Sequence, residues 1–183
     1  MDKRTMEKLE FRKLEPSEIE CRIGTISEKG LSLLLYKDAR VDMNLLDETV
    51  GPMNWKREHT RENRNCIVSI WDSEKKEWVS KEDTGTESQS EAEKGLASDS
   101  FKRACFNWGI GRELYTAPFI WIKAEDCKIE AGYQGKKKCN DKFVVAKLNY
   151  KDNGDIDGLA IQNAKTGKFV FVQMPTDPKN KEK

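Results

Sequence analysis

The chain has 183 residues, of which 37% are hydrophobic and 36% charged, with a formal net charge of +1. That length allows one sizeable core but not two large domains, and no apolar run approaches the roughly 20 residues that span a bilayer. The charged opening stretch, Met1 to Arg12, lacks the continuous apolar segment of a signal peptide, so a cytoplasmic location and no membrane partner are expected.

In chain order, the apolar run Leu31 to Tyr36 after Gly30 predicts a buried strand. Asp38 then suits the N-cap of a helix reaching about Thr49, with Val41, Leu45 and Leu46 at helical spacing and Gly51-Pro52 as its stop. Three strands follow, Met53 to Arg61, Asn65 to Asp72 and Glu77 to Asp83, joined by tight polar turns. In the second, Cys66, Val68 and Ile70 alternate with Ile67, Ser69 and Trp71, so both faces are largely apolar and the strand belongs in the middle of a meander.

The cover for that meander is the long helix that follows. Ser90-Glu-Ala-Glu93 fits a capping box, and Ala97, Phe101, Ala104, Cys105 and Trp108 form one apolar stripe that ends at Gly109. Arg112 to Tyr115 leads to a short strand, Pro118 to Ile122, rich in aromatic and β-branched residues. Lys123 to Asp141, with Gly132, Gly135 and Lys136-Lys137-Lys138, reads as an exposed excursion. Phe143 to Tyr150, Leu159 to Asn163 and Phe169 to Gln173 read as a small meander, turned at Asp152-Asn-Gly154 and Lys165-Thr-Gly167. The expected class is α+β: a core with an N-terminal extension over 1–122, a β appendage over 123–174 and a disordered tail over 175–183.

Motifs for catalysis are mostly absent. Asp83-Thr84-Gly85 matches the aspartic-protease triplet but follows Lys81-Glu82, without the apolar flank that lets two acids share a proton, so Gly85 is read as a turn residue. Gly109-Ile-Gly111 follows a helix rather than opening one after a strand, and Gly132-x-x-Gly135-Lys136 lacks the spacing and hydroxyl of a phosphate-binding loop, so no dinucleotide or ATP site is expected. His59 is the only histidine, which leaves any His-based metal or catalytic site dependent on one residue of a polar strand. Cys21, Cys66, Cys105, Cys127 and Cys139 are odd in number and scattered, with no Cys-x-x-Cys pair, which predicts reduced thiols rather than a disulfide framework or a zinc site. The chain is expected to be no enzyme and to need no cofactor.

What remains is basic and aromatic. From Asp72 to Glu93 three Lys stand against eight Asp or Glu, whereas Lys94, Lys102, Arg103 and Arg112 stand against Asp99 alone between Lys94 and Arg112. Charge is therefore segregated along the chain, which says more about a polyanionic partner than the net sum does. At strand period, Trp55, Arg57, His59 and Arg61 share one face, either a surface that stacks bases and neutralises a nucleic-acid backbone or simply a solvated sheet face. Lys102 and Arg103 flank the apolar stripe of the long helix, where they can border a groove or pair with Asp99.

The stretch Gly95-Leu-Ala-Ser-Asp99-Ser-Phe-Lys102-Arg103-Ala104-Cys-Phe-Asn-Trp108-Gly109 resembles the helix signature of the Rad-fifty-two-type single-strand annealing proteins. Upstream, Tyr36-Lys-Asp-Ala-Arg40-Val and Gly51-Pro-Met-Asn54-Trp55 resemble that family's strand, helix start and approach to the meander. Trp108-Gly-Ile-Gly-Arg-Glu-Leu-Tyr115 is most similar to the bacterial and phage DdrA and Sak type, and the likeness runs from about Glu20 to Ile122.

The resemblance implies a β-β-β-α core assembled into a ring or helical filament. A basic groove would hold the backbone of single-stranded DNA, with Arg40, Lys102 and Arg103 at its phosphate-contacting positions, beside the cations and aromatic read above: Trp55, Arg57, Arg61 and Lys94. It further implies ATP-independent binding and annealing of complementary strands in recombination and double-strand break repair, with a host or phage single-strand binding protein as a further partner. The alternative is a sequence-tolerant single-strand binder that protects or loads DNA without annealing it. One departure stands out: the family's further arginine, a turn beyond the Lys-Arg pair, is replaced here by Phe106 or Asn107. Residues 124–183 inherit nothing from the resemblance.

Overall fold

A computed structural model describes residues 8–86 and 92–176, the side chains of 92–94 excepted. In chain order the strands and helices are β1 (Glu20–Ile26), β2 (Gly30–Tyr36), α1 (Ala39–Val50), β3 (Trp55–Thr60), β4 (Asn65–Asp72), β5 (Glu77–Thr84) and α2 (Ala92–Trp108). They continue with β6 (Ile120–Lys123), β7 (Ile129–Ala131), β8 (Lys137–Cys139), β9 (Phe143–Tyr150), β10 (Ile156–Asn163) and β11 (Phe169–Gln173). The protein is mixed α+β with antiparallel sheets. It divides into two compact units, Met1–Arg12 with Ala39–Gly111, and Lys13–Asp38 with Arg112–Lys183.

The first unit holds α1, the antiparallel sheet β3-β4-β5, and α2. β4 is its central strand, and Cys66, Val68 and Ile70 on one face are buried. α2 packs on β4 and β5, contributing the buried Leu96, Ser100, Phe101, Ala104 and Cys105. The helix ends as its glycine dictates: Gly109 adopts φ +105°, its N–H donates to the Phe106 carbonyl, and the Ile110 N–H donates to Cys105. That 6→1 and 5→2 pair closes the last turn, with Ile110 and Cys105 both buried beside it. The capping box expected at Ser90 lies outside the described residues.

Gly85 has a role other than the turn read from the sequence. A Cβ there would lie 2.7 Å from the Ser100 backbone nitrogen and 2.9 Å from the Leu96 carbonyl oxygen, so the end of β5 meets α2 backbone to backbone. Its value is the missing side chain rather than φ freedom.

The second unit holds a six-stranded antiparallel sheet in the order β11-β10-β9-β1-β2-β6, curled so that its edge strands β11 and β6 approach each other. Leu31, Leu33, Ile120, Ile122, Phe143, Val145, Leu159 and Ile161 are buried. The strands after 141 are therefore not a separate appendage: Glu20 of β1 is registered with Val144 of β9, so they complete a sheet begun by β1 and β2. The boundary read at 122/123 falls inside this unit. The exposed excursion carries its own two-stranded hairpin, β7 with β8. The tail read as disordered from Pro175 is anchored at its start, since Thr176 donates its N–H and hydroxyl to the buried carboxylate of Asp157 at 3.0 and 2.5 Å; residues 177–183 lie outside the described residues.

No helix among the described residues is long and apolar enough to cross a membrane.

Candidate nucleic-acid interface

The sheet of the first unit has two chemically different faces. Register places Trp55, Arg57 and His59 of β3 beside Ile70, Val68 and Cys66 of β4, and these beside Val79, Lys81 and Asp83 of β5. This is the face that α2 covers. The Trp55 ring stacks on Phe101, with centroids 6.2 Å apart, and its indole N–H donates to Asp47 of α1 at 2.6 Å. Trp55 is thus committed to packing between α1, β3 and α2 and is not an open stacking platform.

Arg57 is exposed, and its guanidinium carbon lies 4.8 Å from the centre of the buried Phe101 ring. An arginine stacked on a ring keeps its in-plane N–H donors available to an anion. Beside it, His59 Nδ1 is 3.4 Å from the Ser100 hydroxyl, and burial, then the charge of Arg57, holds its pKa below the ordinary value.

Arg61 does not share this face. β3 ends at Thr60, and Arg61, Glu62 and Asn63 take φ values of +49°, +54° and +68° in the turn to β4, which breaks the alternation on which the grouping depended. The Ser100 hydroxyl braces this turn by donating to the Asn63 carbonyl at 3.0 Å.

At the opposite edge of α2, Arg103 Nε is 3.6 Å from the Asp83 carboxylate of β5. Asp99 is engaged elsewhere, accepting the Thr86 backbone N–H at 2.8 Å, so the intrahelical pair considered for Arg103 is replaced by a helix-to-strand pair. Lys102 is half-buried, and no ion pair holds it among the described residues. Arg40 is exposed in the first turn of α1. The Lys94 side chain lies outside the described residues. The structure therefore gathers Trp55 and Arg57 around Phe101, places Arg103 on the β5 side of the same helix, and leaves Arg40 and Arg61 on separate elements.

The other face of the sheet shows what the sequence reading missed. Trp71 and Trp78 are directly paired across β4 and β5, edge to face at 5.5 Å, and remain 36% and 39% exposed. The Lys56 ammonium lies 4.5 Å from the centre of the Trp78 ring, reaching across the Ser69–Ser80 hydroxyl pair. Glu58 and Glu82 occupy the far end of this face, so its aromatic and cationic end is local. The signal was present in Trp71-Asp-Ser-Glu-Lys-Lys-Glu-Trp78, where two tryptophans stand symmetrically about a polar turn.

Among the described residues no group of three or more His, Cys, Asp or Glu is placed to hold a metal ion. No family model, no curated protein and no solved structure matches the chain.

Proposed function

We propose that this protein binds single-stranded DNA and anneals complementary strands without ATP, as a homo-oligomer serving recombination and double-strand break repair. One observation carries the reading furthest. Adjacent residues of the edge strand β3 hold cations against aromatic rings on opposite faces of one small sheet, Arg57 over Phe101 and Lys56 over Trp78. Single-strand binders combine phosphate neutralisation with base stacking; Lys56 beside the half-exposed Trp71 and Trp78 offers both, and Arg57, over the buried Phe101, offers a cation alone. Arg103 and Lys102 on α2 add positive charge along the helix that borders the same sheet. On this reading β3, β4, β5 and α2 are the β-β-β-α core of an annealing protein, in keeping with the resemblance of residues 20–122.

The mechanism is electrostatic. Cations neutralise the phosphates of one strand, a second strand approaches with its repulsion reduced, and base pairing supplies the free energy. Oligomerisation would repeat weak sites along the strand and raise their joint affinity through effective concentration. Self-association is proposed from the resemblance; the exposed Met53, at 86%, and Phe119, at 77% and stacked beside Trp121, are side chains it could cover.

The Trp71–Trp78 pair favours a second reading. Stacking on tryptophan occupies a base's face and so competes with the base-on-base stacking that a duplex needs, which suits a protein that protects single strands rather than annealing them.

Fluorescence anisotropy with labelled oligonucleotides tests the common ground. Single strands should bind more tightly than duplex, without sequence preference, and binding should weaken as salt rises. Affinity that is flat between low and high salt contradicts the phosphate-contact model. Light scattering should give a mass above that of a dimer; a monomer contradicts the assembly.

A further inference from the structure

The sequence scatters the cysteines, but the second unit brings two of them together. β7 and β8 pair antiparallel with Ile129 opposite Cys139, Glu130 opposite Lys138 and Ala131 opposite Lys137. Cys139 is thus the last rung of the ladder, and Cys127 lies just outside it, after the short 3-10 turn Ala124–Asp126. The Lys128 N–H donates to the Asp141 carboxylate at 2.7 Å, drawing the two chain segments together next to the thiols. Cys127 and Cys139 therefore lie diagonally across the end of the hairpin, close enough for each to influence the other's ionisation, and the Cys127 thiol donates to the Lys123 carbonyl at 3.3 Å. Both thiols are half-buried, whereas Cys66 and Cys105 are fully buried.

We propose that Cys127 and Cys139 form a reversible disulfide by exchange with a small-molecule disulfide such as oxidised glutathione, and that this bond staples the hairpin carrying Lys136, Lys137 and Lys138. One protein thiolate attacks a sulfur of the reagent, forming a mixed disulfide and releasing one reagent thiolate. The second protein thiol, having lost its proton, attacks the protein sulfur of that mixed disulfide and releases the second reagent thiol. Two protein thiols are oxidised to one disulfide, and one reagent disulfide is reduced to two thiols.

Burial raises both thiols, Cys127 to about 11. At Cys139 the Asp141 backbone N–H favours the thiolate while the Asp141 carboxylate opposes it, so either sulfur can attack first and the other resolves. Exchange is slow at neutral pH and accelerates as pH rises and the thiolate fraction grows. Once formed, the bond restricts the open states of the loop between the two cysteines, which in the reduced protein are limited only by short strands and surface ion pairs.

The folded chain is incubated with oxidised glutathione at mildly alkaline pH, its free thiols are blocked, and it is cut with trypsin at the exposed lysines of 136–138. The expected result is joint loss of Cys127 and Cys139 from the alkylated pool, with the two tryptic fragments remaining joined in denaturant until reductant is added. Cys139→Ser should abolish the joined species and leave Cys127 alkylated or carrying glutathione. Full alkylation of both cysteines after oxidation overturns the proposal, as does separation of the wild-type fragments without reductant or predominant cross-linking between chains.

Discussion

The Arg57 guanidinium caps the Phe101 ring at 4.8 Å, and Phe101 has no exposed surface. One side chain therefore covers the core with its face and offers hydrogen-bond donors at its edge. Replacing it separates the two roles. Arg57→Met keeps an apolar cover and should retain most of the stability while weakening single-strand binding. Arg57→Ala should lose binding and about 1 kcal/mol of stability, the scale of an exposed cation–aromatic contact. In both variants the slope of log affinity against log salt should become shallower by about 0.7 for each phosphate no longer neutralised. An unchanged slope removes Arg57 from the interface.

Trp71 and Trp78 lie on the uncovered face, so removing either should weaken DNA binding more than it weakens the fold. Each alanine substitution is expected to cost about 1–3 kcal/mol of binding for each base stacked there. The stability cost is smaller, about 0.5–1.5 kcal/mol for disrupting the aromatic pair. DNA should also quench the tryptophan fluorescence of the wild type, and quench it less in Trp71→Ala. Wild-type affinity in both variants shows that this face does not touch DNA.

Arg103 shares its charge with Asp83, whereas Lys102 has no such partner among the described residues. The double variant Lys102→Ala with Arg103→Ala should sharply reduce binding while leaving the fold intact, because an exposed ion pair is worth about 0.2–1 kcal/mol. Asp83→Asn should do the opposite and tighten binding by releasing Arg103 towards phosphate. Arg40→Ala tests a cation from a separate helix. Lys137→Ala, whose ammonium is paired with Glu28 at 3.2 Å, is the control. Normal binding by the double variant together with loss in Lys137→Ala would move the interface to the β7–β8 hairpin.

His59 gives the fold a weak acid sensitivity. Burial and Arg57 hold its folded pKa below the unfolded value of about 6.5, so as pH falls the unfolded chain takes up a proton first. Its contribution is complete above about pH 6.5 and is lost as pH falls through the folded value. His59→Asn should flatten this part of the denaturant midpoint-versus-pH curve; an unchanged curve assigns the acid sensitivity to other groups.

The most legible parts of the fold were those specified by local pattern. The α2 stripe, its Gly109 stop and the three strands of the meander follow from periodicity and turn chemistry, and the observed elements agree closely with them. β1 was missed although Glu20-Cys-Arg-Ile23 alternates polar and apolar, because the alternation breaks at Gly24 and no residue of the strand is fully buried. Its pairing with β9, which joins the two ends of the chain in one sheet, is a non-local contact that no window of sequence contains. At the site, strand period grouped Trp55 with Arg57, but it could not say that α2 would cover that face and leave Trp71 and Trp78 on the open one. Arg61 was misplaced because three successive non-glycine residues take left-handed φ, a conformation that composition does not announce.

Annealing of two complementary labelled strands, followed by energy transfer in EDTA without nucleotide, tests the central claim most directly. The account predicts that the wild-type protein accelerates duplex formation over the spontaneous rate, that salt suppresses the acceleration, and that Lys102→Ala with Arg103→Ala abolishes most of it. Tight single-strand binding with no acceleration, or an absolute requirement for ATP, would contradict it.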